Sequence, residues 1–179
     1  MKKNHIIIGI TGGIAAYKAC DLIRLFKKNA HEVTCVITKE AREFVTQLTL
    51  ETLSNNKIID DMFSLPENRS PLHISLADKA DLIVVCPATA NIIGKLASGI
   101  CDDILTCIMC SSKAPVLIAP AMNDLMYKNK IVQKNIASLK ETGYKFIGPV
   151  KGPLASGYEA IGHLADVNSI FQMSKNLLK

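Results

Sequence analysis

The chain has 179 residues, enough for one full hydrophobic core and too few for two ordinary domains, so we expect a single domain over 1–179. Hydrophobic residues make up 49% and aromatic residues 5%, with no Trp, which is typical of a parallel sheet covered by helices. The net charge of +5 comes from scattered lysines without interleaved aromatics, which argues against nucleic-acid binding.

Two lysines precede the first apolar run, as they do in a secretory signal. That run is short, ends in Thr-Gly-Gly and leads into an amphipathic helix, whereas a signal needs a longer apolar stretch and a cleavage site. No segment reaches the length of a membrane span. We therefore expect a cytoplasmic protein with no membrane contact.

Apolar runs rich in β-branched residues alternate with helical patterns along the chain. The runs that predict strands cover 5–10, 33–38, 81–86 and 115–120, with a shorter candidate at 144–148. Helices are predicted over 14–30, over 39–53 as one or two pieces, and over 167–178, while 54–71 predicts a surface loop before a helix from about Leu72. This alternation indicates βαβ units, so we predict an α/β protein with a Rossmann-like three-layer α/β/α fold and a mainly parallel sheet.

The six cysteines lie mostly in apolar runs and form no paired CxxC motifs. We expect buried free thiols and no metal site, because Cys107 and Cys110 lack the second ligand pair that zinc requires.

Small and polar residues follow three of the predicted strands. Gly12 and Gly13 come after the first strand, Thr38 ends the second, and Thr89, Ala90 and Asn91 follow the third. Carboxyl ends of parallel strands meet at one sheet edge, where glycines and free helix amides bind anions. The glycines alone are weak evidence, since a tight turn uses them for geometry.

Two polar side chains near the same edge have an ordinary interpretation beside a functional one. His73 lies near a helix start, where histidine is usually a surface or capping residue, although imidazole also moves protons near neutral pH. Asn123, in the PAMNDLMY segment, could cap the next helix or hold a carboxylate. The glycine-rich stretch 152–166 fits either a solvent loop or a lid, and we favour a lid.

These motifs, in this order and spacing, resemble the homo-oligomeric flavin-containing cysteine decarboxylases. The resemblance covers nearly the whole chain through GGIAAYK, His73, PATAN, PAMNDLMY and LASGYEAIGHLAD. It is strongest to the branch that decarboxylates 4'-phosphopantothenoyl-cysteine in coenzyme A synthesis, here as a stand-alone domain. Tyr127 stands where the peptide-modifying branch has Trp, which favours the coenzyme A branch.

The resemblance implies a cofactor, a set of roles and an assembly. FMN would be bound by Gly12, Gly13, Ile14, Thr38, Thr89, Ala90, Asn91, Ile92 and Ala121. His73 would be the catalytic base, while Asn123, beside Met122, would hold the substrate carboxylate. The assembly would be a homotrimer or a multiple of trimers, such as a dodecamer, with FMN near the subunit interface. The flavin would oxidise the substrate thiol to a thioaldehyde, which accepts the electrons left by departing CO2.

Ser156 departs from this pattern, because the coenzyme A branch usually carries a cysteine there that donates the final proton. A hydroxyl is a much weaker acid than a thiol, so this step should be impaired. Three explanations remain: a deliberate replacement, a natural variant in which water or another group donates the proton, or an enethiol as the true product. Many relatives have Arg at the position of His163. How the lid binds the substrate phosphate is therefore left open. The alternatives are a peptidyl-cysteine oxidative decarboxylase and a non-catalytic flavin-binding regulatory subunit.

Overall fold

A computed structural model of the chain describes residues 3–63 and 71–178. Its main sheet contains β1 (His5–Ile10), β2 (Glu32–Ile37), β3 (Leu82–Ala88), β4 (Val116–Pro120) and β5 (Lys145–Phe146). The strands are all parallel and lie in the order β2-β1-β3-β4-β5. The five predicted strands are confirmed; β3 continues through Pro87 to Ala88, and β5 is only two residues long.

The helices are α1 (Ala19–Lys28), α2 (Gln47–Ser54), α3 (Leu72–Lys79), α4 (Ala90–Ala97), α5 (Ile104–Ser111), α6 (Asp124–Lys128), α7 (Lys130–Glu141) and α8 (Val167–Leu177). Short 3-10 helices at Ile14–Lys18 and Lys39–Glu43 precede α1 and α2. The helix predicted over 14–30 therefore begins as a tighter helix. In α1 the buried positions recur at helical spacing, and Lys27 and Lys28 at its end face the negative pole of the helix dipole.

Alternate residues of each strand pack in two separate cores, one on each face of the sheet. Ile6 and Ile8 of β1 pack in the core covered by α1, α2 and α8. Ile7, between them, packs in the core covered by α3, α4, α5 and α7. Because both faces are covered, the strands are apolar throughout, and the predicted three-layer α/β/α architecture is confirmed.

The segment predicted as a loop before α3 is partly ordered against the sheet. Ile58 is buried, and Ile59 forms a parallel bridge to Val36 of β2, with its amide donating to the Cys35 carbonyl at 2.9 Å. For this part the prediction of a surface loop is wrong, because Ile58 is buried in the core and Ile59 pairs with the open edge of β2. The rest of the predicted loop includes 64–70, which lie outside the described residues.

The glycine-rich stretch 152–166, predicted as a lid, forms most of an antiparallel hairpin. Its strands are β6 (Val150–Pro153) and β7 (Glu159–His163), joined by a turn in which the Leu154 amide donates to the Tyr158 carbonyl at 2.9 Å. Glycines and a register shift between Val150 and Lys151 hide the strand pattern in the sequence. We call residues 150–163 the β6–β7 hairpin.

The cysteines are only partly buried. Burial raises the pKa of the Cys35 and Cys86 thiols to about 12, whereas Cys101 and Cys110 are exposed, so the expectation of buried thiols is wrong for that pair. Within 3–63 and 71–178, no helix combines the length and the apolar character needed to span a bilayer.

Candidate functional site

The strand order reverses between β1 and β3: β2 lies on one side of β1, and β3 and the later strands lie on the other side. In an open parallel sheet, the crevice outside the carboxyl ends of two such strands is where ligands bind. A cavity of about 560 Å³ and a smaller one of about 250 Å³ adjoin there. They share Gly12, Thr89, Ala90 and Met126. The predicted convergence of the strand ends is therefore observed.

The glycine turn after β1 lines both cavities, through Gly12 in each and through Gly13 in the larger one. A Cβ on Gly12 would lie 2.3 Å from the Cβ of Glu40, so only glycine lets the turn approach the segment after β2. At Gly13 the nearest atom would be 3.8 Å away, which is ordinary contact. Gly13 precedes the first 3-10 helix without a side-chain cap, leaving that end of the helix open toward a ligand.

Thr11, which the sequence did not single out, ties the two strand ends together. Its hydroxyl donates to the Pro87 carbonyl at 2.8 Å and accepts from the Thr89 amide at 3.0 Å. The side chain is buried. Thr11 thereby fixes the start of α4 relative to the glycine turn, a contact between residues far apart in sequence.

The smaller cavity lies between the start of α4 and the end of β2. Thr89 caps α4 by accepting from the Ile92 amide at 3.4 Å, and Ala90, Asn91 and Ile92 continue the wall. Thr38 lies opposite, with a hydroxyl that is buried and has no hydrogen-bond partner. A buried unpaired hydroxyl in a cavity wall is a site for a polar ligand atom.

Two carboxylates also border the smaller cavity. Glu40 and Asp103 come from outside the 89–91 loop, which itself has no acid. The Lys95 ammonium forms ion pairs with Asp103 Oδ2 at 3.0 Å and with Asp102 Oδ1 at 2.8 Å. The acidic character of this wall is therefore reduced by a neighbouring ammonium group.

Ala121, Met122 and Asn123 follow β4 and line the larger cavity, as predicted. Asn123 does cap α6, since its Oδ1 accepts from the Leu125 amide at 2.9 Å. Its Nδ2 donates to the Tyr158 hydroxyl at 3.1 Å. Capping and a place in the cavity wall are thus compatible for this side chain.

The β6–β7 hairpin forms another wall of the larger cavity, and Ser156 in its turn is one of the lining residues. Gly162 lets the hairpin approach, because a Cβ there would lie 2.2 Å from the Met122 carbonyl oxygen. Its φ of +140° also disfavours any other residue. The Met122 amide donates to the Gly162 carbonyl at 3.1 Å, which joins the hairpin to the turn after β4.

Lys18 and His163 meet at the rim of the larger cavity. The His163 Nδ1 lies 2.8 Å from the Pro153 carbonyl, which can only accept, so this nitrogen carries the proton. Nε2 is then free to accept from the Lys18 ammonium at 3.0 Å. The contact places the Lys18 ammonium at the larger cavity, a feature that no local motif predicts.

His73 is the one predicted site residue that lines neither cavity of the chain. It lies in the first turn of α3, which packs on α5 in the second core. Since α3 leads back into β3, its start lies toward the carboxyl edge of the sheet. The other predicted residues come together as cavity-lining groups, but His73 does not join them within one chain.

In the part of the chain that the structure describes, no group of three or more His, Cys, Asp or Glu side chains is placed to hold a metal ion.

A doubly wound α/β fold with cavities at its topological switch point is the arrangement in which many nucleotide- and flavin-binding proteins hold their ligand. The profile of the flavoprotein family matches residues 1–179, so the chain belongs to that family.

Curated relatives include the coenzyme A biosynthesis bifunctional protein CoaBC of Borreliella burgdorferi, 46% identical over 175 residues, which are 98% of this chain and 45% of that protein. The chain thus spans less than half the length of such relatives. A probable phosphopantothenoylcysteine decarboxylase of Streptococcus mutans is 40% identical over 169 residues, 93% of this chain and 94% of that protein.

Solved structures give the same picture. A cysteine-to-serine variant of PPC decarboxylase complexed with pantothenoylaminoethenethiol superposes with a TM-score of 0.89 at 33% identity, covering 98% of both chains. The FMN-dependent cysteine decarboxylase SpaF gives a TM-score of 0.86 at 27% identity, covering 98% of this chain and 97% of that one.

Proposed function

We propose that the chain is an FMN-dependent carboxy-lyase that decarboxylates 4'-phosphopantothenoyl-cysteine in coenzyme A biosynthesis. The observation that carries the proposal is the cavity at the switch point, walled by the glycine turn, the start of α4, the turn after β4 and the β6–β7 hairpin. The similarity to a probable phosphopantothenoylcysteine decarboxylase over 94% of that protein supports the substrate. We further propose that 1–179 acts as one domain, located in the cytoplasm as befits this pathway.

The residues at the switch point fit a flavin mononucleotide. Gly12 and Gly13 bring the backbone to the wall of the larger cavity, and the buried Thr38 hydroxyl lacks a partner that a phosphate or polyol oxygen would provide. Ile14, Ala90 and Ala121 are small or apolar cavity-lining groups suited to a ring system, while Thr89 to Ile92 supply the start of a helix. When bound, FMN would supply the two-electron oxidation that turns the substrate thiol into an electron sink for decarboxylation.

Asn123 is suited to hold the carboxylate that leaves as CO2. Its amide is a neutral donor, so it orients the carboxylate without a fixed positive charge that would stabilise the ground state. The β6–β7 hairpin forms a wall of the same cavity. The Lys18 ammonium at the rim adds attraction for an anionic substrate.

We propose that the working assembly is a homo-oligomer, a trimer or a multiple of trimers. Large apolar side chains are exposed around the cavities: Ile14 is 61% exposed, Leu125 71% and Met126 50%. Contact with a second copy would cover them. Because His73 lines neither cavity of its own chain, its role as catalytic base is most simply met across such an interface.

Mixed oligomers test this arrangement directly. Variants His73→Asn and Asn123→Ala, each inactive alone, should regain part of the activity when co-assembled, because some sites then contain both native residues. Co-assembly without any recovered activity would show that His73 and Asn123 serve the site of the same chain, and a His73→Asn variant that is active alone would show that His73 has no catalytic role.

The serine at position 156 favours a second candidate product, the enethiol. A serine hydroxyl donates a proton much less readily than a thiol, so oxidation and CO2 loss should proceed while formation of saturated 4'-phosphopantetheine is impaired. The similar cysteine-to-serine PPC decarboxylase variant was solved with an enethiol, which is in line with this expectation.

The second candidate function is oxidative decarboxylation of a peptide with a C-terminal cysteine, which also yields an enethiol; the similarity to the peptidyl-cysteine decarboxylase EpiD, 26% identical with a TM-score of 0.82, supports it at lower identity. Parallel assays with both substrates decide between the functions. We expect turnover of the phosphopantothenoyl compound and none of the peptide. A chain that binds flavin and turns over neither substrate would instead be the regulatory subunit.

A further inference from the structure

The β6–β7 hairpin is joined to the turn after β4 at two levels. Near its base, the Met122 amide donates to the Gly162 carbonyl at 3.1 Å. At its tip, the Tyr158 hydroxyl donates to Asp124 Oδ1 at 2.6 Å. Tyr158 is 45% exposed whereas Asp124 is only 6% exposed, so a surface side chain reaches inward to a buried acceptor.

The donor and acceptor roles in the hydrogen bonds of the Tyr158 hydroxyl are fixed. A phenol has a single proton, and here it is donated to Asp124, so the Tyr158 oxygen can only accept from Asn123 Nδ2 at 3.1 Å. Lys128 binds the other Asp124 oxygen at 2.8 Å. The Lys128 ammonium, and after it the Tyr158 hydroxyl, lower the pKa of the Asp124 carboxyl, which therefore stays an ionised acceptor at neutral pH.

This arrangement fixes the orientation of the Asn123 amide. Its Oδ1 accepts from the Leu125 amide and one Nδ2 hydrogen goes to Tyr158, which leaves the second Nδ2 hydrogen for the cavity that Asn123 lines. Rotating the amide by 180° would set its NH2 group against the Leu125 N–H and lose both bonds. With the hairpin displaced, only the capping bond to Leu125 would remain.

We propose that Tyr158 is a positioning residue: it latches the β6–β7 hairpin over the larger cavity and orients the Asn123 amide toward the carboxylate of a bound acid. The latch itself follows from contacts within the chain. The identity of that acid rests on the proposed function.

The test uses Tyr158→Phe, which keeps the ring and removes the hydroxyl, with Tyr144→Phe as a matched control. Tyr144 is partly buried against the second core and lines neither cavity. Hydrogen exchange at the Met122 amide reports separation of the hairpin base, because this amide donates to Gly162. We expect exchange to be roughly tenfold faster in Tyr158→Phe than in the native chain and unchanged in Tyr144→Phe.

Steady-state kinetics supplies the second readout. If Tyr158 acts through Asn123 on binding, KM for the phosphopantothenoyl substrate should rise about tenfold while kcat stays within about twofold. Unchanged exchange at Met122 would overturn the latch. Faster exchange with unchanged KM would overturn the coupling to Asn123, and faster exchange in a chain that turns over no cysteine substrate would uphold the latch while contradicting the proposed function.

Discussion

Replacing Gly12 with alanine tests how tightly the glycine turn approaches the segment after β2. The new Cβ would lie 2.3 Å from the Glu40 Cβ and 3.0 Å from the Glu40 carbonyl carbon. To reach ordinary contact at roughly 3.5 Å, the two Cβ atoms must separate by more than about 1 Å and the carbonyl carbon by about 0.5 Å. Neither is the free end of a flexible side chain, so the backbone of the second 3-10 helix has to move away from β1.

The expected cost is that of overpacking, about 2 kcal/mol. For a chain of this size the melting temperature of the FMN-free protein should fall by roughly 4–8 °C. Thr38, which precedes Glu40, would shift with the segment, so flavin affinity should fall as well. Differential scanning calorimetry and fluorescence titration with FMN measure the two effects.

Gly13→Ala is the matched control, since its Cβ would meet nothing closer than Thr89 Cγ2 at 3.8 Å and its φ of −156° is open to alanine. Its melting temperature should stay within about 2 °C of the native value. Equal destabilisation by the two substitutions would refute the steric argument. A stable Gly12→Ala protein with native flavin affinity would refute the placement of the turn.

Three further predictions concern single side chains. Thr38→Val removes a buried hydroxyl without a partner, so the flavin-free protein should unfold at an equal or higher temperature while FMN affinity falls; undiminished affinity in the titration would remove Thr38 from the flavin site. Burial, and then Lys175, lower the pKa of the His31 imidazole, so the unfolded chain takes up a proton first and stability should fall as the pH drops below about 6.5. In urea unfolding between pH 7 and 5, His31→Phe should flatten this loss, and a parallel loss in the variant would show that other groups cause it. Ser156→Cys should restore the saturated thiol product by supplying a stronger acid, and an unchanged product ratio in the chromatogram would show that this position is not the proton donor.

The sheet could be predicted from the sequence because each strand is a local apolar run with turn residues at its ends. The layered cores follow from the same runs, since strands buried on both faces need helices on both. The convergence of Gly12, Thr38 and Thr89 could also be predicted, because it follows from parallel strands alone.

Contacts between distant segments could not be predicted in this way. Thr11 bonds to Pro87 and Thr89, and Tyr158 bonds to Asp124, across separations that no local pattern records. The hairpin was missed because its glycines break the alternation that marks a strand. For His73 the sequence predicts too much. Its position near the carboxyl edge of the sheet follows from the topology, but within one chain His73 lines neither cavity.

The mass of the product formed from 4'-phosphopantothenoyl-cysteine tests the central proposal most directly. Flavin-dependent decarboxylation in a chain with Ser156 predicts a product that has lost CO2 and two hydrogens, with a smaller share that has lost CO2 alone. Recovery of the substrate unchanged by FMN-loaded protein, under conditions in which the Streptococcus mutans relative consumes it, would contradict the proposed function.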